Sequence, residues 1–183
     1  EFDGRSFAVS LTNQRLLRAV GIWEGLESTA SPIRDIRISD GPSLLFLHYD
    51  HREVGNEPMG YMVENHNLRQ AQCERIQYES DIKIFAPDRL QGLKDLTTRV
   101  EAKLQSGEVV KAKLVVGADG RNSIVRTAAG ISLTKWDYDQ SGIVCTVSHE
   151  YHHSYIAHEK FLPSGPFAIL PLTGDPPGSG NRS

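Results

Sequence analysis

Cysteine is scarce in this chain of 183 residues: Cys73 and Cys145 stand far apart, and neither has a partner at Cys-x-x-Cys spacing. That excludes a disulfide-stapled scaffold, a zinc ribbon and a redox dithiol. It leaves two thiols expected to be small buried hydrophobes in a reducing, cytoplasmic compartment. Long apolar runs are missing too, and nothing approaches the roughly 18 residues that a membrane-spanning helix needs. The first residues carry no signal-peptide pattern. Lysine and arginine are scattered and the net charge is -3, so no electrostatic footprint for nucleic acid is present. Catalytic constellations are equally hard to find. His149, His152, His153 and His158, with Glu150 and Glu159, lack zinc spacing and read as surface polar residues. Ser123 has no glycine-flanked elbow, so a serine hydrolase is unsupported.

What is present suits a folded domain. Hydrophobic residues make up 39% and charged residues 23% of the chain. Its opening at Glu1, without an initiator methionine, and its Pro/Gly-rich end suggest a piece of a larger protein. Ser10 or Thr12 can cap a helix bearing Leu16, Leu17 and Val20, with Gly21 as its stop. Residues 32–50 read as two strands around Asp40-Gly41-Pro42. A short strand at 60–63 leads into a helix with a thin stripe of Leu68, Ala71 and Ile76. Residues 81–87 read as a strand ended by Pro87, and 96–116 as a hairpin turning at 105–108. A short helix at 122–130 stops at Gly130. Strands are then expected at 141–150, where Ile143, Cys145 and Val147 alternate with polar neighbours, and over 155–161 and 166–172. Trp23 and Trp136 read as packing residues.

The stretch "KLVVGADGRNSIVR", residues 113–126, carries the chemistry. Its run Leu114–Ala118 is apolar throughout, as a strand covered on both faces would be. Ligands of open α/β sheets bind beyond the carboxyl ends of such strands. There Gly117 and Gly120 permit close backbone approach, and Asp119 can accept hydrogen bonds from sugar-like hydroxyls. Arg126 can fork onto a phosphate or pair with a carboxylate. Two bland readings stay open: Asp-Gly is a good turn in its own right, and Arg126 can be a solvated helix residue.

"GADGRNSIVR" resembles the Asp-Gly motif of the FAD-dependent aromatic hydroxylases typified by p-hydroxybenzoate hydroxylase. Downstream, Trp136, Tyr138 and Gln140, then Glu159, Phe161, Pro163, Gly165 and Pro166, then Leu170, Pro171 and Leu172 resemble the ubiquinone-biosynthesis branch, the 2-polyprenyl-6-methoxyphenol hydroxylases. "GRSFAVSLTNQRLLRAVGIW" and "MGYMVENHNL" are similar to that branch as well, so the resemblance covers nearly the whole chain.

The resemblance implies that Asp119 contacts the flavin's ribityl chain, while Gly117 and Gly120 let the cofactor approach. Arg126 matches an arginine near the pyrophosphate of the nicotinamide cofactor, Arg5 an arginine near the FAD, and Asn65 an amide set against the flavin. The family's N-terminal Gly-x-Gly-x-x-Gly segment, its second FAD motif and its C-terminal half have no counterpart here. The implied fold is therefore α+β, within the α/β FAD-binding family. It combines a mostly antiparallel substrate-side sheet with part of a parallel nucleotide-binding sheet, truncated. Residues 1–30, 60–80 and 94–130 would belong to the FAD-binding domain, and 31–59, 81–93 and 131–183 to the substrate-binding sheet domain.

The implied activity is that of a flavin-dependent monooxygenase, with FAD and NAD(P)H as cofactors. Its substrates would be molecular oxygen and a polyprenyl phenol, and other ubiquinone-biosynthesis proteins are possible partners. Localisation would be cytoplasmic, with peripheral contact at the inner membrane. The isolated piece is expected to be inactive and to bind flavin feebly. The cofactor carries the hard chemistry in such enzymes, so no acid–base dyad is demanded. Phe167–Leu172 can line a pocket for a prenyl chain, and core packing explains it equally well. The alternatives are a non-catalytic binding or assembly module derived from the fold, or a hydroxylase of another aromatic substrate.

Overall fold

The computed structural model describes residues 4–174 and 176–183. Its first strand, β1 (Ser6–Ser10), ends at the residue that starts the first helix. The Ser10 hydroxyl accepts from the Asn13 N–H at 3.3 Å and so caps α1 (Leu11–Ala19), as its residue type predicts. Of the three apolar residues expected to share a face, only Leu17 packs on the core; Leu16 and Val20 are exposed. A single 3-10 turn at Trp23–Gly25 leads to β2 (Ser31–Ile33), β3 (Asp35–Asp40) and β4 (Phe46–Asp50). Then come β5 (Gly60–Glu64) and α2 (Asn65–Gln77). The chain continues with β6 (Leu90–Asp95), β7 (Val100–Leu104), β8 (Val109–Ala112) and α3 (Ile124–Ala128), and then with β9 (Ile156–Leu162) and β10 (Gly165–Ile169).

Two compact units emerge. The first comprises residues 1–80 and 142–183, the second residues 81–141. In the first unit, β5 lies between β1 and β2, antiparallel to both. A second sheet runs β10-β9-β3-β4, antiparallel except for the parallel pair β3 and β9. One core cluster gathers Val9, Trp23, Leu26, Val63 and Ala71, with the rings of Trp23 and Tyr61 edge to face at 4.9 Å. Another joins Ile33 and Met62 to Ala157 and Leu172. The second unit is the antiparallel sheet β6-β7-β8 with α3 against β6. Among its described residues only Leu104 is a buried hydrophobic, so its core is thin.

Several expectations need correction. Leu114–Ala118 forms no strand, and Leu114 and Val116 are each 76% exposed. An apolar run becomes an interior strand only with a partner on each edge, and no described residue supplies one. Residues 81–87 form no strand either. The strand of that region is β6, whose Gly92 and Lys94 hid it from a periodicity reading and whose partner is β7. Residues 141–147 are not assigned to a strand; one bridge joins Ser148 to Arg182. Cys73 and Cys145 are exposed rather than buried, and Trp136 is exposed rather than packed. His153 is half-buried rather than freely solvated.

Candidate flavin-contact residues

The six residues singled out by sequence divide between the two units: Arg5 and Asn65 in the first, Gly117, Asp119, Gly120 and Arg126 in the second. In the first unit the pairing of Ser6 with Glu64 brings the head of β1 to the tail of β5. The Asn65 N–H donates to the Arg5 carbonyl at 2.9 Å, so the backbones of these two positions meet. Asn65 is buried and opens α2, a helix of 13 residues. Glu64 precedes it, also buried, and receives Arg182 at 3.0 Å. Arg182 further donates to the Thr173 carbonyl at 3.1 Å.

In the second unit Asp119 is held by its own chain. The Ser123 hydroxyl donates to its Oδ1. Its Oδ2 accepts the Ile124 N–H at 2.6 Å and the Val125 N–H at 3.3 Å. Ser123 Oγ in turn accepts the Arg126 N–H at 3.0 Å, so Asp119 and Ser123 together cap α3. The Ser123 hydroxyl, then the two backbone amides, hold the Asp119 carboxyl below the ordinary aspartate value. Asp119 is therefore an ionised, exposed, acceptor-only group. With three bonds made of about four possible, it retains room for one further donor.

Gly117 has a steric reason. A Cβ there would lie 2.9 Å from Val125 Cβ and 3.0 Å from its Cγ1, inside normal contact. Gly120 has a conformational one, with φ at +82°. Arg126 is half-buried, and its backbone N–H is committed to the cap.

Sequence reasoning missed Ser123, Glu64 and Arg182. The local signal for Ser123 is a serine four residues after an aspartate and just before an apolar run, a helix-cap pattern. Nothing local marks Arg182, whose partner is far away in sequence. Among the described residues no group of three or more His, Cys, Asp or Glu side chains is placed to hold a metal.

Taken separately, each unit offers groups that a flavin could use: the first a buried amide at a helix start, the second an ionised carboxylate with a free acceptor site and flanking glycines. The chain is 49% identical over 174 residues to ubiquinone hydroxylase UbiL of Rhodospirillum rubrum, covering 95% of this chain and 40% of that protein. It is 34% identical over 171 residues to 3-demethoxyubiquinol 3-hydroxylase of Escherichia coli, covering 93% of this chain and 44% of that protein. The crystal structure of Pseudomonas aeruginosa PqsL with 2-aminobenzoylacetate superposes with a TM-score of 0.77 at 19% identity, over 97% of this chain and 48% of that one, which shows the fold alone. The chain thus spans less than half the length of the relatives it matches. Residues 3–168 match the family model described as FAD binding domain, and the chain belongs to that family.

Proposed function

We propose that this chain is part of a flavin-dependent monooxygenase that hydroxylates a polyprenyl phenol in ubiquinone biosynthesis. The observation that carries this reading is the 49% identity, over 95% of the chain, to a protein named as a ubiquinone hydroxylase. FAD, when bound, supplies the redox and oxygen-activating chemistry, with NAD(P)H as reductant and molecular oxygen as co-substrate. The residues of this chain bind and orient. Asp119 accepts from a ribityl hydroxyl through its remaining acceptor site, while Gly117 and Gly120 keep side chains out of the approach. Arg126 serves a pyrophosphate, and the Asn65 amide and Arg5 act on the flavin. The partition of the chain into FAD-side segments (1–30, 60–80, 94–130) and substrate-side segments (31–59, 81–93, 131–183) belongs to this same proposal.

No helix of the described residues is long and apolar enough to cross a membrane. A cytoplasmic protein meeting its prenylated substrate by peripheral contact with the inner membrane, beside other proteins of the pathway, accords with this reading. The test uses the full-length protein. It should purify with flavin absorbance and couple NAD(P)H oxidation to oxygen incorporation into a prenylated phenol. NAD(P)H oxidation without hydroxylated product on any prenylated phenol, but with product on a non-prenylated aromatic, would move the assignment to another substrate class.

A further inference from the structure

Two hairpin turns meet at one end of the β10-β9-β3-β4 sheet. β3 and β9 run parallel with Asp40 opposite Phe161, so the β3–β4 turn and the β9–β10 turn lie side by side. The Gly41 N–H donates to the Phe161 carbonyl at 2.7 Å and joins them. This end is apolar and bare. Leu44 is 96% and Leu45 83% exposed, and Phe46, Leu47, Phe161 and Leu162 are exposed behind them. Phe46 and Leu47 are consecutive in β4 and so project to opposite faces of the sheet. A folded partner laid on the sheet covers one face, whereas a fluid apolar medium around the tip covers both.

Behind the tip the two faces differ in charge. One face sets His48, Arg37 and His158 in register across three strands, with Lys160 on the same face two residues nearer the turns. Arg37 is half-buried and lies over the Phe46 ring at 5.6 Å, and its Nε is shielded from water without a hydrogen-bond partner. Both acids of this face are engaged at the far end, Asp35 by His48 at 2.8 Å and Asp50 by Arg52. Among the described residues neither Arg37 nor Lys160 has an acid at ion-pair distance. Asp40 and Glu159 alternate onto the opposite face. A half-buried guanidinium without a counter-ion, next to a free ammonium, is matched to an anion, and phosphate oxygens suit both groups.

We propose that this end of the sheet docks on a bilayer of anionic phospholipid: Leu44 and Leu45 enter the interface, and Arg37 and Lys160 bind headgroup phosphates. The spacing suits the task. At about 3.3 Å per residue, Lys160 lies about 3 Å and Arg37 about 10 Å behind the level of Asp40. Both therefore fall within the headgroup layer once the leucines reach the acyl boundary. The charge asymmetry sets the tilt, with the Arg37 face turned to the phosphates and the Asp40 face away. The proposal deepens the proposed function and rests on it for why a membrane is visited; the residues that would make the visit are assigned by their own exposure and charge.

Flotation of the full-length protein with vesicles tests it, phosphatidylcholine alone against phosphatidylcholine mixed with phosphatidylglycerol. The wild type should bind the mixed vesicles, and Leu44→Ser with Leu45→Ser should weaken that binding at least about tenfold. Arg37→Gln with Lys160→Gln should weaken it about 10–30-fold. Lys160→Glu alone, at an exposed position, should have an effect of similar size without disturbing the packed guanidinium. The leucine variant should keep the wild-type thermal midpoint and its bound flavin. A wild type that binds neither vesicle would overturn the proposal, as would binding indifferent to the leucine variant or to Lys160→Glu. A lowered thermal midpoint in the leucine variant would show that other protein covers the tip, and would overturn it too. A wild type that floats with vesicles but hydroxylates no prenylated phenol would count against the proposed function and not against the docking edge. One that hydroxylates a short-prenyl phenol in solution yet ignores vesicles would do the reverse.

Discussion

Arg182 Nη2 lies 3.0 Å from Glu64 Oε1, tying the end of the described chain to the junction of β5 and α2, one residue from Asn65. Both side chains are largely removed from solvent, at 25% and 11% exposure, so the pair differs from the surface ion pairs elsewhere on the molecule. The Glu64 carboxylate also stands at the positive end of the α2 dipole. Truncating Arg182 leaves a nearly buried charge without its partner. Arg182→Met should therefore cost about 2 kcal/mol in urea unfolding, below the full cost of a wholly buried pair because a quarter of the arginine is wet. Adding Glu64→Gln should recover about half of that loss. A double-mutant cycle with no coupling would show that the contact is incidental.

Gly117 and Val125 give a second prediction. The contact a Cβ would make is with a β-branched side chain, which has little rotamer freedom to yield. Gly117→Ala should destabilise the second unit by about 1–3 kcal/mol, the usual range for overpacking. Gly117→Ala combined with Val125→Ala should restore most of it. Thermal unfolding of the three variants measures both effects.

How far the sequence spoke depends on how local each feature is. The Ser10 cap, the 40–42 turn and the 105–108 hairpin were legible because their causes lie within a few residues. Leu114–Ala118 and 141–147 were misread because apolar composition states only that a strand could be covered, while a ladder needs a partner. The parallel pairing of β3 with β9 joins segments far apart in the chain and leaves no local trace. At the candidate site, Asp119 was singled out by its type and its flanking glycines. Its local duty as a cap was not, because that depends on the fold of residues 120–123, which returns Ser123 to the carboxylate.

Acid should weaken the first unit through His153 and His158. His153 Nε2 faces the Leu172 carbonyl at 2.9 Å, and its Nδ1 accepts the Tyr155 N–H at 2.9 Å, so the backbone on both sides suits the neutral ring protonated at Nε2. Burial, then the neighbouring His152 and His149, hold it below the ordinary value of 6.5. Burial and Arg37 do the same to His158. Near neutral pH and above, both states of the protein keep these rings neutral and no stability is at stake. Below 6.5 the unfolded chain takes up protons that the folded chain refuses, so stability falls as pH drops towards the lowered folded values. The urea midpoint should decline from pH 7.5 to 5.5, and less steeply in His153→Gln. An identical decline in that variant would assign the effect to other groups.

Asp119 carries the proposed contact with the flavin, and its cap role has to be separated from any contact with a ligand. Asp119→Ala removes the acceptor of three local bonds as well as the one proposed for the ribityl chain. Ser123→Ala disturbs the same cap but leaves the carboxylate in place. In the full-length protein, Asp119→Ala should lower bound flavin at least tenfold, read from visible absorbance after desalting, with far-ultraviolet circular dichroism unchanged. Asp119→Asn should fall between, because an amide oxygen still accepts while its nitrogen cannot. Ser123→Ala should keep most of its flavin. Equal flavin loss in Ser123→Ala and Asp119→Ala would mean that the cap alone matters. The 183-residue chain by itself should purify colourless, since it spans less than half the length of its relatives; a yellow preparation would show that the residues present suffice.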